Sequence, residues 1–250
     1  MNVHQDSLAE SFLRYFDIAL ATTEAQKRAT YHIRYRVYCD EFGYEPRERF
    51  PDQAETDEYD DYSLACLITH RASGLPAGCV RLVPALEHEP LPLEKYCRQS
   101  LDQEFIEALN LQRSSLCEIS RLAVDGAFRR RSGENASRFG RIETLDCSPQ
   151  ERRTFPMIAV AAFLASTALT EVSGRTKVLA MMEPFLPRLL RRSGIVFQRA
   201  GRDMEYHGLR APFFITTQDA LEHMKPELKE LYDPIHATIR REYREYDWAA

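Results

Sequence analysis

Glu118 and Ser120 stand two positions apart in the segment LCEISRLAV, residues 116–124. Its alternation marks a strand, and two residues along a strand span about 6.6 Å on one face. A carboxylate half-buried there can have a raised pKa and take a proton from an incoming nucleophile. A cross-strand salt bridge is the plain alternative. Upstream, Arg81 interrupts the apolar run GCVRL. A guanidinium inside such a strand needs a partner. The acidic stretch from Asp57 to Asp61, directly before a strand, could supply it. The pair Asp57 and Asp60 could equally hold a cationic amine, or sit in a solvated acidic loop. Arg34 and Tyr38 lie four apart, on one face of a helix, with Tyr44 six residues further on. An exposed arginine stacked on tyrosine would give the same pattern. Spacing alone leaves each of these open between chemistry and structure.

The elements that must carry these residues follow from periodicity. Residues 7–22 space Leu8, Phe12, Tyr15, Phe16 and Ala19 as one helix, with Ser7 and Glu10 as a capping box. A second helix is expected over 24–37, then a charged loop over 41–60. Residues 62–69 and 77–83 form a hairpin across Ser73-Gly74. A short helix is expected at 101–110. In the strand over 116–124, Cys117, Ile119, Arg121 and Ala123 share one face, and Glu118, Ser120, Leu122 and Val124 the other. Residues 126–153 carry many arginines and little periodicity, and are expected to be a mobile excursion. A helix over 155–172, a strand over 177–182 and a helix over 184–192 follow. Closing strands are expected at 195–197 and 212–215, then a C-terminal helical segment over 218–250 broken at Pro234. This order predicts one domain over 1–250 of α/β (α+β) class, with a mixed central sheet flanked by helices.

The 250 residues are 44% hydrophobic and 28% charged, enough to bury a core without metal or disulfide staples. The net charge of −5 disfavours a global grip on nucleic acid. No apolar run approaches the about 20 residues that span a bilayer. The N-terminus has no basic n-region, so no signal peptide is expected. Six scattered cysteines without a CxxC pair suggest reduced thiols in a cytoplasmic protein and no zinc site.

Taken together and in order, RYRVYCDEFGYEP, ETDEYDDYS, GCVRLVPA, EISRLAVDGAFRRRSGE, MMEPFLPRLLRRSGIVF and EYHGLRAPFFI resemble the acyl-homoserine-lactone synthases. Those belong to the GNAT-like acyl-CoA N-acyltransferase fold, as do the long-chain N-acyl amino acid synthases. The chain is most similar to a sister group, the acyltransferases associated with the exosortase (PEP-CTERM) system. The resemblance implies a splayed strand pair, here the strands at 116–124 and 177–182. It makes Glu118 the catalytic base, with Ser120 and Arg121 as its neighbours. It assigns Arg34, Tyr38 and Tyr44 to positions that close over the substrate, and Asp57, Asp60 and Arg81 to an ion cluster beside the amine. Tyr38 and Tyr44 replace the Phe and Trp of the lactone synthases, which favours an amine other than S-adenosylmethionine.

The implied reaction moves a fatty acyl group from a thioester to the amine of an amino acid or related small amine. No tightly bound cofactor is implied; acyl-ACP or acyl-CoA is the co-substrate. Arg130-Arg-Ser-Gly133-Glu-Asn135 fits only the first half of a pyrophosphate-binding loop. Arg129, Arg130 and Arg131, with Arg138 and Arg141, could meet the acidic surface of an acyl carrier protein. Phe155, Ile158, Phe163, Leu179 and Met182 are candidate walls for the acyl chain, or ordinary core. Two other readings stay open: a lactone (autoinducer) synthase using S-adenosylmethionine, and a non-catalytic module that binds acyl carrier protein.

Overall fold

The expected first helix ends early. In the computed structural model, which describes residues 7–129 and 147–246, α1 spans Leu8–Tyr15 and the chain turns at once into strand β1, Phe16–Leu20. Ser7 and Glu10 form the expected capping box. Phe12 and Phe16 fit a helical period, but Phe16, Ile18 and Leu20 also alternate with period two. The sheet edge decides: all five residues of β1 pair antiparallel with Cys66–His70.

Helix α2 spans Glu24–Arg34 and continues as a π-helical segment, Tyr35–Glu41. The hairpin β2, Leu64–His70, and β3, Pro76–Pro84, forms as expected. Short helices α3, Pro92–Tyr96, and α4, Gln103–Ala108, lead into β4, Leu116–Val124. Of the excursion expected over 126–153, the described residues form helices: α5, Gly126–Arg129, and α6, Pro149–Arg152. A capping box of Ser148 and Glu151 starts α6. Then come α7, Met157–Val172, β5, Lys177–Met182, and α8, Leu186–Arg191. Residues 195–197 are not a strand; β6 is Gln198–Arg199, followed by β7, Met204–Glu205, and β8, Leu209–Thr216. Helix α9, Thr217–Glu222, and α10, Pro226–Glu245, close the chain. The break falls at residues 223–225, not at Pro234. Pro234 removes one ladder N–H, yet buried Leu231, Tyr232, Ile235 and Ile239 hold α10 down on both sides of it.

The sheet runs β1-β2-β3-β4-β5-β8-β6, with β7 on β8, and only β4–β5 is parallel. It is the mixed α/β architecture expected, a central sheet with helices on both faces. Helices α1, α7 and α10 cover one face over the main core. Helices α2, α3 and α4 cover the other, over two smaller clusters. Alanines 161, 162, 165 and 168 of α7 are buried, so small side chains let it lie close on the sheet. Gly78 of β3 shows how close: a Cβ there would meet Ile158 Cγ2 at 2.8 Å. No described helix is long and apolar enough to cross a membrane.

β4 and β5 pair only at Leu116–Lys177, Cys117–Val178 and Glu118–Leu179, though both strands continue. Beyond Glu118 they splay, as expected. The gap this opens positions the site.

Candidate active site

A bulge in β4 decides which side chains meet. Ser120 pairs with Arg81, but the next pair is Ala123 with Cys79. Arg121 and Leu122 therefore oppose the single residue Val80. Arg121 absorbs the extra residue with φ of 52°, in the left-handed region. The strict alternation expected from sequence fails here. Ala123 packs with Ile33, Val37 and Cys79 under α2, while Cys117 and Val124 lie in the core on the opposite face. Glu118, Ser120 and Arg121 are thus gathered on the α2 side.

Arg121 joins a closed ring of alternating charge. Arg34 donates to Asp60 from both terminal nitrogens, at 2.7 and 2.9 Å. Asp60 accepts from Arg81 at 2.8 Å, and Arg81 reaches Asp57 at 2.5 and 3.0 Å. Asp57 accepts from Arg121 at 3.0 Å, and Arg121 reaches Glu55 at 2.9 Å. Glu55 closes the ring on Arg34 Nε. Three guanidiniums and three carboxylates leave it neutral. Arg34 and Arg81 are 2% exposed and Glu55 1%, so these charges survive burial only because each is paired. Burial pushes the Glu55 carboxyl up, but Arg34 and Arg121 outweigh it and hold it at about 2. Asp60 is likewise held well below the usual carboxylate range, chiefly by Arg34 and Arg81, against its burial.

Asp57, Asp60 and Arg81 thus stand in one ion cluster, and the ring decides between two pairs of alternatives. Arg34 is not exposed: the last residue of α2, it is buried, with its guanidinium 5.3 Å from the Tyr31 ring. Asp57 and Asp60 do not offer a free carboxylate pair to an amine, because guanidiniums occupy their oxygens. Of the ring, only Arg121 reaches the cavity wall; Arg34, Glu55, Asp57, Asp60 and Arg81 stand behind it. Arg81 acts there through Ser120, whose Oγ accepts from its Nε at 3.2 Å.

That cavity, of about 520 Å³, runs from the α2 side into the gap between β4 and β5. Glu118, Ser120, Arg121, Tyr38 and Tyr44 line it. Glu118 is 3% exposed and accepts a hydrogen bond from the Leu93 N–H at 2.7 Å. Burial pushes its carboxyl up to about 8, against the Leu93 N–H and the charges of Arg81 and Arg121. It is a carboxyl that changes protonation near neutral pH, in a water-poor site.

Aromatic rings wall the α2 end. Tyr44 stacks on Phe42 with centroids 5.2 Å apart and on His207 at 5.3 Å. Tyr206 stacks on His207 at 4.6 Å. Tyr38 donates to the Leu122 carbonyl inside the bulge at 3.2 Å, and Arg121 lies 5.6 Å from its ring. At the far end Phe163, Thr167, Thr170, Met182 and Ile215 line the cavity. Of the candidate acyl walls, Phe163 and Met182 are therefore on it. Ile158 and Leu179 are core, and Phe155 packs against that core beside Phe16 and Phe128.

Arg129 lines the cavity but is not a free cation. It bonds Glu41, and its Nε donates to the Val124 carbonyl at 2.7 Å. Arg130, Arg131, Arg138, Arg141, Gly133 and Asn135 lie outside the described residues. Away from the cavity, His70, Cys147 and Glu151 bring ligand-type atoms within 4.8 Å of one another. There His70 Nε2 bonds Glu151 and its Nδ1 bonds Ser73 Oγ at 2.7 Å, which ties the start of α6 to the end of β2.

Glu55, Leu93, Tyr206, His207 and Arg210 were not singled out by sequence reasoning as site residues. Glu55 differs in no sequence feature from its acidic neighbours. Leu93 contributes a backbone group, which no side-chain pattern reports.

Residues 33–137 match the family described as acetyltransferase (GNAT) domain. That match spans less than half of the chain. No curated protein matches the sequence. Among solved structures, the fold is similar to TofI in a ternary complex with an inhibitor and MTA, at 20% identity and TM-score 0.59, covering 86% of this chain and 99% of that one. It is similar to BjaI, a CoA-dependent acyl-homoserine lactone synthase held with SAM and isopentyl-CoA, at 15% identity and TM-score 0.58, covering 88% and 89%. It is also similar to FeeM, an N-acyl amino acid synthase from uncultured soil microbes, at 11% identity and TM-score 0.55, covering 84% and 94%.

Proposed function

We propose that this GNAT-fold chain is an N-acyltransferase that moves a fatty acyl group from a thioester to the amine of an amino acid or related small amine. One observation carries the reading. Glu118, a buried carboxyl poised near neutral pH, stands where a cavity enters the gap between two splayed strands.

The chemistry follows from that arrangement. An amino acid's amine is mostly protonated at pH 7 and cannot attack a carbonyl. Glu118, once ionised, takes a proton from the nitrogen, directly or through one water. The amine then attacks the thioester carbon, and the oxyanion forms beside the backbone of β4. Past Glu118 that backbone has no β5 partner, so its N–H groups on that side are available as donors. The tetrahedral intermediate collapses, the C–S bond breaks and the thiolate takes a proton. The apolar far end of the cavity suits the acyl chain, and Met181 and Met182 adapt to its shape.

The donor is proposed to be an acyl carrier protein, with acyl-CoA as the alternative. The basic sequence after Arg129 favours an acidic partner surface. The motif Glu205–Pro212 favours a role like that of the exosortase-associated acyltransferases, in the cytoplasm. BjaI and FeeM, both similar in fold, take different amines by their descriptions, so lactone synthesis from S-adenosylmethionine is the second reading.

The test is direct. The chain is incubated with dodecanoyl-acyl carrier protein or dodecanoyl-CoA and a panel of amino acids, with S-adenosylmethionine as a separate arm. Mass spectrometry should detect an N-dodecanoyl amino acid. An acyl-homoserine lactone instead would select the second reading. No amide from any amine would leave a binding module.

A further inference from the structure

Three guanidiniums line the cavity among the described residues: Arg121, Arg129 and Arg210. Two are neutralised. Arg121 pairs with Glu55 and Asp57, and Arg129 with Glu41. Arg210 has no carboxylate partner among the described residues. Its Nε donates to the carbonyls of Tyr206 and His207, at 3.1 and 3.2 Å. Those bonds fold the side chain back over its own hairpin.

The hairpin is shaped to do this. β7 and β8 pair Met204 with Arg210 and Glu205 with Leu209, leaving Tyr206–Gly208 as the turn. His207 takes φ of 54° and Gly208 88°, and the Tyr206 N–H donates to the Gly208 carbonyl at 2.9 Å. The Tyr44 ring centroid lies 5.9 Å from the guanidinium. With Nε engaged, the two terminal nitrogens remain for a ligand. A half-buried, preorganised guanidinium without a counter-charge favours an anion, and its fork suits a carboxylate or a phosphate.

We infer that Arg210 is the anion anchor of the acceptor site, where it takes the α-carboxylate of the amino acid whose amine faces Glu118. The inference rests on the acyl-transfer reading for the identity of that amine. Position selects the carboxylate over a donor phosphate. Glu118, Cys97 and Arg210 line the same cavity. An α-amino acid carries its carboxylate one carbon from the nucleophilic nitrogen. A thioester donor carries its phosphate a whole pantetheine arm from the reacting carbon.

The experiment is calorimetric binding of two product-like probes, N-dodecanoylglycine and N-dodecanoylglycinamide, to the full chain. They differ only in the charge at the proposed anchor. The wild type should bind the acid about 10- to 100-fold more tightly, the range for charge-assisted hydrogen bonds in a partly dry site. Arg210→Gln should bring the two within about twofold, since only one charged contact is lost. Arg210→Lys, which keeps the charge without the fork, should retain part of the preference. Equal binding in the wild type, or a preference that survives in Arg210→Gln, would overturn the assignment. Loss of coenzyme A affinity in Arg210→Gln with the acid preference intact would give Arg210 to the donor and overturn it too. Binding needs no turnover, so the two readings fail separately. Acid preference without acyl transfer would keep the anchor and remove the enzyme. Acyl transfer without acid preference would do the reverse.

Discussion

The Leu93 N–H donates to Glu118 Oε2 at 2.7 Å, joining the start of α3 to the middle of β4 across 25 residues of chain. That one bond fixes the carboxyl's direction where it is almost wholly dry. It stabilises the ionised form only in part, because burial still lifts the group to about 8.

A raised carboxyl pKa costs stability in a defined pH window. Below about 4.5, the group's ordinary value, it is protonated in both folded and unfolded chains. Between there and about 8 the unfolded chain loses the proton and the folded chain keeps it, so stability falls as pH rises. Above about 8 the whole cost is present, on the order of 5 kcal/mol from the size of the shift. Glu118→Gln keeps the Leu93 bond through its amide oxygen and removes the titration. Denaturant unfolding at pH 5 and pH 9 should show the variant gaining on the parent as pH rises. An equal pH dependence in both would place the ordinary carboxylate pKa on Glu118.

The charge ring has the opposite pH sign. Glu55 titrates near 2 in the folded chain, so its contribution is fully present above its ordinary value of 4.5 and lost as pH falls toward 2. Glu55→Ala leaves Arg34 and Arg121 facing a gap in a buried site. It should cost about 3–5 kcal/mol at pH 7, as loss of one partner of a buried pair does. Asp17→Ala breaks an exposed pair with Arg71 and should cost under about 1 kcal/mol. Chemical denaturation of the two variants compares them directly. Similar small losses would mean that the ring is solvated.

Much of this site was legible before any coordinates. The hairpin, β4 and α7 follow from period, and the splay of β4 from β5 is what the resemblance to the lactone synthases implies. Glu118 stands out as a carboxylate inside an apolar strand pattern. What stayed hidden has physical causes. The face of Arg121 depends on one left-handed backbone angle in a non-glycine residue, which no side-chain pattern reports. The resemblance names Asp57 and Asp60, but Glu55, Glu58 and Asp61 have equal claims in sequence, and three-dimensional packing admits Glu55 to the ring. The strand Phe16–Leu20 reads as helix because its apolar residues fit both periods, and pairing with β2 breaks the tie.

The far end of the cavity should set acyl length. Thr167 of α7 lines it and is itself buried, its Oγ1 donating to the Phe163 carbonyl at 3.1 Å. Thr167→Phe fills that end. Competition between butanoyl- and dodecanoyl-thioesters should shift at least tenfold toward butanoyl, while the rate with butanoyl stays within about threefold, since pocket contacts per methylene are worth about 1–3 kcal/mol. An unchanged ratio would send the chain elsewhere.

The central claim is that the carboxyl of residue 118 removes the amine's proton. Its most direct test is turnover of Glu118→Gln with the best amine found for the wild type, beside circular dichroism to establish an intact fold. The account predicts a loss of about 100-fold or more in kcat, the usual size of acid–base effects. It also predicts that the rise of kcat with pH toward about 8 disappears in the variant. A folded Glu118→Gln that turns over within a few-fold of wild type, with the same pH profile, would contradict it.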